Sequence, residues 1–552
     1  MTTIARTTGL LDRLTIEEKV GQMFMFGFPG TAPSPEIEEF IGRRGLGGVI
    51  YFARNVADVA QVAALSEELQ EATGRGRQNL PLFIAADQEG GIVARFTGAS
   101  GMARMPGNMA LGATRDAVLT EAVAAAVGEQ LSACGINVNL APVLDVNVNP
   151  ANPVIGVRSF GEAPALVADL GAAAVRGYQK AGVLATGKHF PGHGDTDVDS
   201  HRALPLVPHG RDRLEAVELL PFREAIKAGL AAIMTSHVFF PAIEPEPGLP
   251  ATLSPRVLTG LLRGELGFDG LIMTDCLEMK AVTDNFPAGE AAVRAVKAGA
   301  DLVLVSHTPE RQAESLEAVL AAVRRGDLGE RRIDESVARI LAYKARYGAG
   351  RRSAPDLARR ACGTIAQRGL ALQAALRAVT IVRDRDGLVP LPGMPSSRPV
   401  SVGVVGVSPE PLSGVEEGAG AGGAEPPLAV ALSRAGVKAR GTRVNLRPTE
   451  AEVERAVSLA ARADVAVVAT VAAHRFSEQV ALVKRLLAAG RPVIVVALRE
   501  PYDLTRFPEA GTFIAAYDDS EPVIEAVARV LAGQDKAAGR LPVTIPGIDP
   551  TA

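Results

Sequence analysis

This chain has few cysteines and little excess of charge of either sign. Its 552 residues include only 3 cysteines, Cys134, Cys276 and Cys362, which are too few for a disulfide framework and fit a reducing compartment. Lysine and arginine number 58 against 62 aspartates and glutamates, which gives a formal net charge of -4. Because the charges nearly balance, we expect neither nucleic acid nor an anionic membrane as a partner.

Long apolar runs are also missing. No run reaches the roughly 18–20 apolar residues that a membrane-spanning helix needs. Residues 1–19 include Arg6 and Arg13 but lack the apolar core of a signal peptide. We therefore expect a cytoplasmic protein that does not bind membranes. Two or three domains are expected, because 552 residues exceed what one hydrophobic core supports.

Short apolar runs alternate with segments of helical periodicity over the first part of the chain. Eight such runs span residues 20–26, 47–52, 81–86, 136–141, 183–186, 231–236, 270–274 and 301–306. The clearest helical segments span residues 56–73, 116–134, 163–181 and 213–228. This alternation is typical of parallel strands joined by crossover helices. Eight repeats predict an α/β fold of the (β/α)8 TIM-like barrel type, which needs ~250 residues plus insertions.

An open doubly wound sheet would give the same alternation. The dinucleotide-binding form of that sheet carries Gly-x-Gly-x-x-Gly after its first strand, and this chain has no such motif there. Polar residues follow six of the predicted strands, and active sites of barrels lie at the carboxyl ends of their strands. These residues are Asp87, Asp145, Lys188 with His189, His237, Asp275 and His307. We predict that they share one polar pocket, although ordinary capping or a buried hydrogen bond would account for Asp145 and His307.

The alternation loosens near residue 350, where glycine, arginine and proline accumulate. We predict a barrel domain over residues 1–348, a linker over 349–356 and a C-terminal α/β sandwich domain over 357–552. The predicted strands of the second domain span residues 378–382, 400–407, 465–471, 492–498 and 512–516, and its predicted helices 356–376, 450–463 and 477–489.

The second domain shows few signs of chemistry. Residues 414–427 are rich in glycine and alanine and predict a flexible loop. Only one histidine, His474, lies in this domain, and no pairing of a histidine with a carboxylate is evident. We therefore expect the barrel to hold all catalytic residues, so that a chain ending near Gly350 would keep activity if it stays soluble.

The densest polar segment spans residues 188–201 and reads KHFPGHGDTDVDSH. Its proline and glycines break a helix, so its polar groups are predicted at a strand end and on a mobile loop behind it. His189 and His193 are four residues apart, but the intervening Pro-Gly removes the helical face that such a metal site needs. No glutamate lies beside them, which disfavours a zinc protease, and we expect no metal and no cofactor.

Two other chemistries stay open for this segment. Lys188 ends a strand, where a lysine could form a Schiff base with a carbonyl substrate. Asp199 lies two residues before His201, so on an extended segment its carboxylate can face the ring and fix the tautomer of an acid–base pair. Asp195 and Asp197 are interpreted as ordinary turn residues.

Segment 188–201 resembles the signature of glycoside hydrolase family 3, in its β-N-acetylglucosaminidase branch. Further blocks that resemble the same family are residues 87–91 (DQEGG) with Arg95, 272–275 (IMTD), 384–390 (DRDGLVP) and 499–502 (REPY). The resemblance covers nearly the whole chain, and the fourteen-residue block is highly specific.

The resemblance implies a (β/α)8 barrel followed by an α/β sandwich, and hydrolysis with retention through a covalent glycosyl-enzyme. It implies that Asp275 is the nucleophile and that His201 is the general acid/base, with Asp199 as its partner. The positions that it implies for sugar binding are Asp87, Arg95, Arg158, Lys188 and His189. The implied activity is an exo-acting β-N-acetylglucosaminidase that removes terminal N-acetylglucosamine from small carbohydrate substrates such as muropeptide-like fragments.

The residues suit this chemistry. A retaining glycosidase needs a carboxylate beside the anomeric carbon and an acid beside the leaving oxygen. A histidine with an unperturbed pKa of about 6.5 can serve as that acid and then as a base. Asp199 would hold the ring, as an orienting carboxylate does in a triad.

Three alternatives remain. Some members of this branch use phosphate in place of water, which would make the protein a β-N-acetylglucosaminide or β-glucoside phosphorylase acting through the same residues. An aldolase-like enzyme would use Lys188 as a Schiff-base lysine. A sugar-binding protein without catalysis would be expected to lack Asp275 or His201, and both are present.

Overall fold

A computed structural model describes residues 9–348, 353–393, 400–416 and 425–549 of the chain. The first part forms an eight-stranded parallel sheet. Its strands are β1 (Phe24–Phe26), β2 (Gly48–Tyr51), β3 (Phe83–Ala86), β4 (Val138–Asn139), β5 (Leu184–Phe190), β6 (Ala232–Thr235), β7 (Leu271–Met273) and β8 (Val303–Val305). A small hairpin of Gln88–Gly90 and Val93–Ala94 follows β3.

Hydrogen bonds order the barrel strands β8-β1-β2-β3-β4-β5-β6-β7. The sheet closes where Met273 of β7 bridges in parallel to Leu302, which precedes β8. Thr274 N donates to Leu302 O at this seam, at 3.0 Å. The predicted (β/α)8 barrel is therefore confirmed. All eight barrel strands are buried between the interior of the barrel and the surrounding helices. This explains why the strands read as continuous apolar runs.

Helices surround the barrel. They span Ile16–Gln22, Pro35–Arg44, Val59–Ala72, Asn108–Thr114, Ala117–Ala133, Pro164–Lys180, Arg211–Ala216, Leu220–Lys227, Lys280–Thr283, Ala288–Ala298, Pro309–Arg324 and Glu330–Tyr347, with a π-helix at Arg256–Glu265. Short 3-10 turns lie at Ala53–Asn55, Thr73–Arg75, Gly98–Ser100, Gly156–Arg158 and Ala251–Leu253.

Several elements of the barrel differ from the prediction, and two of the differences have a clear local cause. The strand predicted over residues 20–26 begins only at Phe24, because Thr15 and Glu18 form a capping box that starts helix Ile16–Gln22. The helix predicted over residues 213–228 is two helices, and the second one, Leu220–Lys227, starts with a proline in its first turn.

The second part folds around a six-stranded sheet. Its strands are β9 (Thr380–Asp384), β10 (Ser401–Val407), β11 (Lys438–Val444), β12 (Val465–Thr470), β13 (Val493–Ala497) and β14 (Thr512–Ala515), in the order β9-β14-β13-β12-β10-β11. Only β9 pairs antiparallel, with β14. Its helices span Pro355–Ala361, Ile365–Ala378, Pro427–Arg434, Glu450–Ala461, Ser477–Ala488 and Glu521–Leu531, with 3-10 turns at Ala473–Arg475 and Pro501–Arg506.

Helices cover both faces of this sheet. Neighbouring residues of β12 alternate between two separate cores: Val467 packs in one and Val468 in the other. The predicted α/β sandwich is therefore confirmed. Strand β11 was not predicted, because it is a partly exposed edge strand with the polar sequence KARGTRV.

The connection between the two parts is structured where it is described. Residues 349–352 of the predicted linker lie outside the described residues. Ser353 is buried and donates through Oγ to Ala63 O at 2.9 Å. The helix predicted over residues 356–376 is wrong as a single helix, because the chain turns at Gly363, where φ is +62°, before Thr364 caps the next helix.

Most of the predicted flexible loop over residues 414–427 also lies outside the described residues, at 417–424. In the described ranges no helix has both the length and the apolar character that crossing a membrane requires.

Candidate active site

The carboxyl ends of the barrel strands surround a cavity of about 400 Å³. Seven of the eight predicted site residues line it: Asp87, Arg95, Arg158, Lys188, His189, His201 and Asp275. The eighth, Asp199, lies beside the cavity and contacts His201. Of the strand-end residues that were predicted to share a pocket, Asp87, Lys188, His189, Asp275 and His307 line this cavity, whereas Asp145 and His237 lie outside its lining.

Lys188 occupies the base of the cavity between two carboxylates. Its side chain is 2% exposed, and Nζ lies 2.6 Å from Asp87 Oδ1 and 2.8 Å from Glu89 Oε1. Both Lys188 and His189 belong to β5 rather than following it, and pairing with β6 is irregular between Gly187 and Phe190. This irregularity breaks the regular alternation of side chains, and both residues line the cavity.

Burial by itself lowers the pKa of Lys188, but Asp87 and Glu89 outweigh it and raise that pKa above its usual value. The ammonium group is therefore protonated and paired. A Schiff-base lysine must present a free amine, so this environment argues against the aldolase-like alternative.

Two arginines complete the cluster of charges. Arg158 donates from Nε and Nη2 to the two oxygens of Glu89, at 2.9 and 2.7 Å. Arg95 donates from Nη2 to Asp87 Oδ2 at 3.1 Å. Burial raises the pKa of each carboxyl group, but Lys188 and the arginines outweigh it, which lowers the pKa of Asp87 below its usual range and that of Glu89 to about 2. These fixed donors and acceptors suit the hydroxyl groups of a sugar.

Asp145 follows β4, is 1% exposed and orients His189. His189 Nδ1 lies 2.7 Å from Asp145 Oδ2, and the His193 backbone N–H donates to Asp145 Oδ1 at 2.7 Å. Burial raises the pKa of Asp145, but the nearby His189 and His193 outweigh it and lower that pKa. Asp145 is thus an ionised orienting group for the site and not simply a cap.

His193 is held on both ring nitrogens. Nδ1 lies 2.7 Å from Thr196 Oγ1, and Nε2 lies 3.1 Å from Ser200 Oγ. Burial, and then the charge of His189, lower the pKa of His193 to about 4, so the ring is neutral near pH 7. Because its nitrogens are already occupied, His193 does not pair with His189 as a metal ligand. Within the described ranges, no group of three or more His, Cys, Asp or Glu side chains is arranged to hold a metal ion.

The glycines of the motif segment have a packing role. A Cβ on Gly194 would lie 1.9 Å from the carbonyl oxygen of Val146, which leaves room only for glycine. Asn152 donates from Nδ2 to His193 O at 2.9 Å and to Thr196 Oγ1 at 3.2 Å. The segment that was predicted to be a mobile loop is therefore packed against the barrel at its beginning, and exposed residues appear only from Asp197 onwards.

His201 stands at the cavity wall with its carboxylate partner. His201 Nδ1 lies 2.7 Å from Asp199 Oδ1, which also accepts from the His201 backbone N–H at 2.9 Å. The side chain of His201 is 32% exposed, whereas that of Asp199 is 5% exposed. Burial raises the pKa of Asp199, but its hydrogen bonds with His201 outweigh burial and lower that pKa. The ionised carboxylate fixes Nδ1–H and leaves Nε2 for proton transfer.

Asp275 follows β7 and is half-buried in the cavity. Oδ1 accepts from the Cys276 backbone N–H at 2.7 Å. Burial raises the pKa of Asp275, but His237, His189 and His201 outweigh it and lower that pKa. A carboxylate that stays ionised and is still accessible can act as a nucleophile.

The second domain reaches the cavity as well. Gly414 and Val415 line it, and Arg95 donates from Nη1 to the carbonyl oxygen of Val415 at 3.0 Å. The expectation that the second domain lacks a histidine–carboxylate pair is wrong, since His474 Nδ1 lies 2.8 Å from Asp503 Oδ1. That pair lies next to Arg475, which donates to Asn152 O of the barrel at 2.9 Å.

Several residues of the site were missed or undervalued in the sequence. Glu89 is part of the DQEGG block, so its position after β3 was a usable signal. Asp145, His193 and His237 were visible as strand-end or motif residues, but nothing in the sequence separates an orienting group from a buried polar one. Gly414 gave no signal, because its place at the cavity depends on how the two domains pack.

This arrangement defines a class of protein. One cavity of a closed barrel holds a half-buried carboxylate, a histidine with a carboxylate partner, and buried hydrogen-bond donors and acceptors that suit sugar hydroxyl groups. Such a set is expected for a glycoside hydrolase.

The family follows from comparison with known proteins. The profile of the glycosyl hydrolase family 3 N terminal domain matches residues 15–343, and that of the glycosyl hydrolase family 3 C-terminal domain matches residues 379–549. The chain therefore belongs to glycoside hydrolase family 3.

Similar proteins match most of this chain. Beta-hexosaminidase A of Pseudoalteromonas piscicida is 39% identical over 424 residues, which cover 70% of each chain. The beta-N-acetylglucosaminidase/beta-glucosidase of Cellulomonas fimi is 30% identical and matches 98% of this chain and 95% of its own length. A solved family 3 beta-N-acetylglucosaminidase from Paenibacillus sp. str. FPU-7 is 44% identical, with a TM-score of 0.89 over 97% of this chain and 100% of its own.

Proposed function

We propose that the chain is an exo-acting, retaining β-N-acetylglucosaminidase that releases terminal N-acetylglucosamine from peptidoglycan-derived or related glycosides. The observation that carries the proposal is that Asp275 and the pair of His201 and Asp199 meet at one cavity. The names of the Cellulomonas fimi and Paenibacillus proteins support the N-acetylated sugar.

Binding of the terminal sugar would use the buried charged cluster. Lys188 and Arg158 carry donors at the base of the cavity, and Asp87 is an acceptor there. Since these side chains are already fixed by their partners, little ordering is required when the sugar binds.

In the first chemical step, a carboxylate oxygen of Asp275 attacks the anomeric carbon while the bond to the leaving oxygen breaks. His201 Nε2 gives its proton to that oxygen, and Asp199 stabilises the ring's orientation. In the second step, His201 takes a proton from water, the water oxygen attacks the anomeric carbon, and the bond to Asp275 breaks. Two displacements retain the configuration of the sugar.

The decisive experiment labels the nucleophile. Incubation with a fluorinated N-acetylglucosaminyl inactivator, followed by peptide mass spectrometry, is expected to place the sugar on Asp275. Asp275→Asn should remain folded and lose activity on an aryl N-acetyl-β-glucosaminide by several orders of magnitude, because the covalent route is lost. Asp197→Asn, a change at an exposed residue of the motif segment, is the matched control and should behave like the unchanged chain. A label on another carboxylate, or near-normal turnover by Asp275→Asn, would refute the assignment.

The acceptor is tested in the same assay. We expect free β-N-acetylglucosamine as the first product even when phosphate is added, because water is the acceptor of a hydrolase. If sugar 1-phosphate is the main product, the protein is a phosphorylase that uses the same residues.

A further inference from the structure

A short piece of the second domain forms part of the cavity wall beside His201. We name residues 413–416 the strap. Gly414 and Val415 of the strap line the cavity, although they are far in sequence from every barrel residue there. The strap is thus the point where the second domain meets the proposed acid/base.

Gly414 is in contact with the ring of His201. A Cβ placed on Gly414 would lie 2.8 Å from His201 Cδ2 and 2.9 Å from Cγ, closer than side-chain atoms normally approach. The next residue, Val415, accepts from Arg95 Nη1 at 3.0 Å, and the same guanidinium donates to Asp87 at 3.1 Å. The strap therefore touches both the proposed acid/base and the proposed sugar-binding cluster.

The strap is fixed to the body of its own domain. Glu416 lies 3.1 Å from Arg499, and both side chains are less than one-tenth exposed. Arg499 lies 3.8 Å from Asp519 in turn, and Asp519 pairs with Arg104 of the barrel at 3.1 Å. A buried ion pair of this kind holds its backbone in place because either partner alone would be an uncompensated charge.

We propose that the strap positions His201 for proton transfer, with Gly414 as a positioning residue whose missing side chain sets where the ring can lie. This inference rests on the proposed function, because it concerns the acid/base step. It assigns the second domain a part in catalysis although the nucleophile and the acid/base are both in the barrel.

The contact with the His201 ring, and not the backbone conformation, explains why residue 414 is a glycine. The φ angle of Gly414 lies outside the left-handed region, so alanine is allowed there. The added methyl group would displace the His201 ring from Asp199, and a side chain that is 32% exposed can move at little cost in stability. A displacement of about 1 Å can lower a rate by about 100-fold.

The test is a leaving-group series with Gly414→Ala. For kcat/KM, which reports the first chemical step, we expect a fall of about 10- to 100-fold with a sugar leaving group. With a dinitrophenyl leaving group, which needs little protonation, we expect a change of about twofold or less. Gly369→Ala, at a site with no atom within 4 Å of the added carbon, is the matched control and should leave the series unchanged.

Further variants separate the strap from folding and from the proposed function. Glu416→Gln weakens the anchor without touching His201 and should give the same pattern to a smaller extent. In a His201→Ala background, Gly414→Ala should add nothing, because the ring that it displaces is gone. Melting temperatures of all variants check that they are folded.

Each result has a distinct meaning. If His201→Ala shows the leaving-group pattern and Gly414→Ala matches the unchanged chain, the strap does not position the ring and the inference is wrong while the proposed function stands. Equal losses by Gly414→Ala with every leaving group also overturn the inference. If His201→Ala itself shows no leaving-group dependence, the proposed acid/base role fails and the inference fails with it.

Discussion

At the scale of single residues, the base of the cavity is a set of buried charges that neutralise one another. Glu89 has the central position, because it contacts Lys188 at 2.8 Å and receives two hydrogen bonds from Arg158. Asp87 joins Lys188 to Arg95. Such a cluster is rigid, and a rigid cluster presents its free donors and acceptors to a ligand without further ordering.

We predict that Glu89→Gln destabilises the protein by about 3–5 kcal/mol, because it leaves Lys188 and Arg158 buried with less opposite charge. Chemical denaturation monitored by circular dichroism gives the free energy of unfolding. The control is Glu290→Gln, which breaks the exposed pair with Arg294 and should cost about 1 kcal/mol or less. Equal losses for the two variants would contradict a buried, mutually dependent cluster.

The neutral ring of His193 makes stability depend on pH. Its pKa is 6.5 in an unfolded chain and about 4 in the folded protein, where burial disfavours the charged form. Between these values the unfolded chain binds a proton that the folded protein does not bind. The contribution of His193 to stability is therefore complete above pH 6.5 and is lost as the pH falls towards 4.

We predict that the free energy of unfolding falls on acidification from pH 6.5 to 5, and that His193→Gln makes this dependence shallower. Some dependence should remain in the variant, because burial also lowers the pKa of His237 and of His307. The measurement is urea denaturation at closely spaced pH values. The same slope in the variant and in the unchanged protein would show that His193 is not the group responsible.

At the scale of elements, the motif segment after β5 is shaped by close backbone contacts. Gly194 lies against the Val146 carbonyl group, and Asn152 ties His193 and Thr196 to the loop that follows β4. The first half of the segment is thus a packed platform, and Asp199 and His201 extend from its far end. Any adjustment of the pair on substrate binding would have to occur beyond Thr196.

We predict that Gly194→Ala destabilises this platform, because the new methyl group would lie 1.9 Å from a backbone oxygen that cannot move as a side chain can. The expected cost is about 1–3 kcal/mol, as for other overpacked positions, with a loss of glycosidase activity. Gly210→Ala, also after β5 but with no atom within 4 Å of the added carbon, should change neither stability nor activity appreciably. Thermal unfolding and an aryl-glycoside assay test both variants, and similar behaviour of the two would contradict the steric explanation.

Local patterns in the sequence were sufficient to predict the elements that carry the site. Residues at strand ends, such as Asp87 and Asp275, were predicted because a barrel brings all carboxyl ends of its strands to one face. Edge strand β11 was missed because its polar residues show no buried face. The contact of Gly414 with His201 was missed because it depends on domain packing, which no local pattern encodes.

At the scale of the whole molecule, the second domain is joined to the barrel through side chains next to the motif segment. Tyr502 OH accepts from Asn147 Nδ2 at 3.0 Å. The carboxyl-terminal segment also joins the barrel, since Arg540 N donates to Ala113 O at 2.9 Å and Glu162 N donates to Pro542 O at 3.1 Å. That a chain ending near Gly350 keeps activity if it stays soluble remains a prediction, and such a chain would lack both these contacts and the strap.

The last prediction concerns Arg475, which links the second domain to the platform below His193. Its Nη2 donates to Asn152 O at 2.9 Å and lies 3.1 Å from Glu500, while Asn152 itself donates to His193 O. Arg475→Met should leave Glu500 buried with less compensation and should loosen Asn152. We expect a loss of about 2–4 kcal/mol in stability and a lower kcat, although Arg475 does not line the cavity.

The matched control is Arg447→Met, which removes an exposed ion pair with Glu478 in the same domain and should change stability much less than Arg475→Met does. Calorimetry also gives the number of unfolding transitions, which a change confined to the surroundings of Arg475 would not alter. Because buried contacts join the two domains, the unchanged protein should unfold in one transition, and Arg475→Met should separate the transitions of the barrel and the second domain. If Arg475→Met unfolds like the Arg447 variant and keeps its kcat, the second domain supports the platform through other contacts, and the coupling proposed between Arg475 and His193 is wrong.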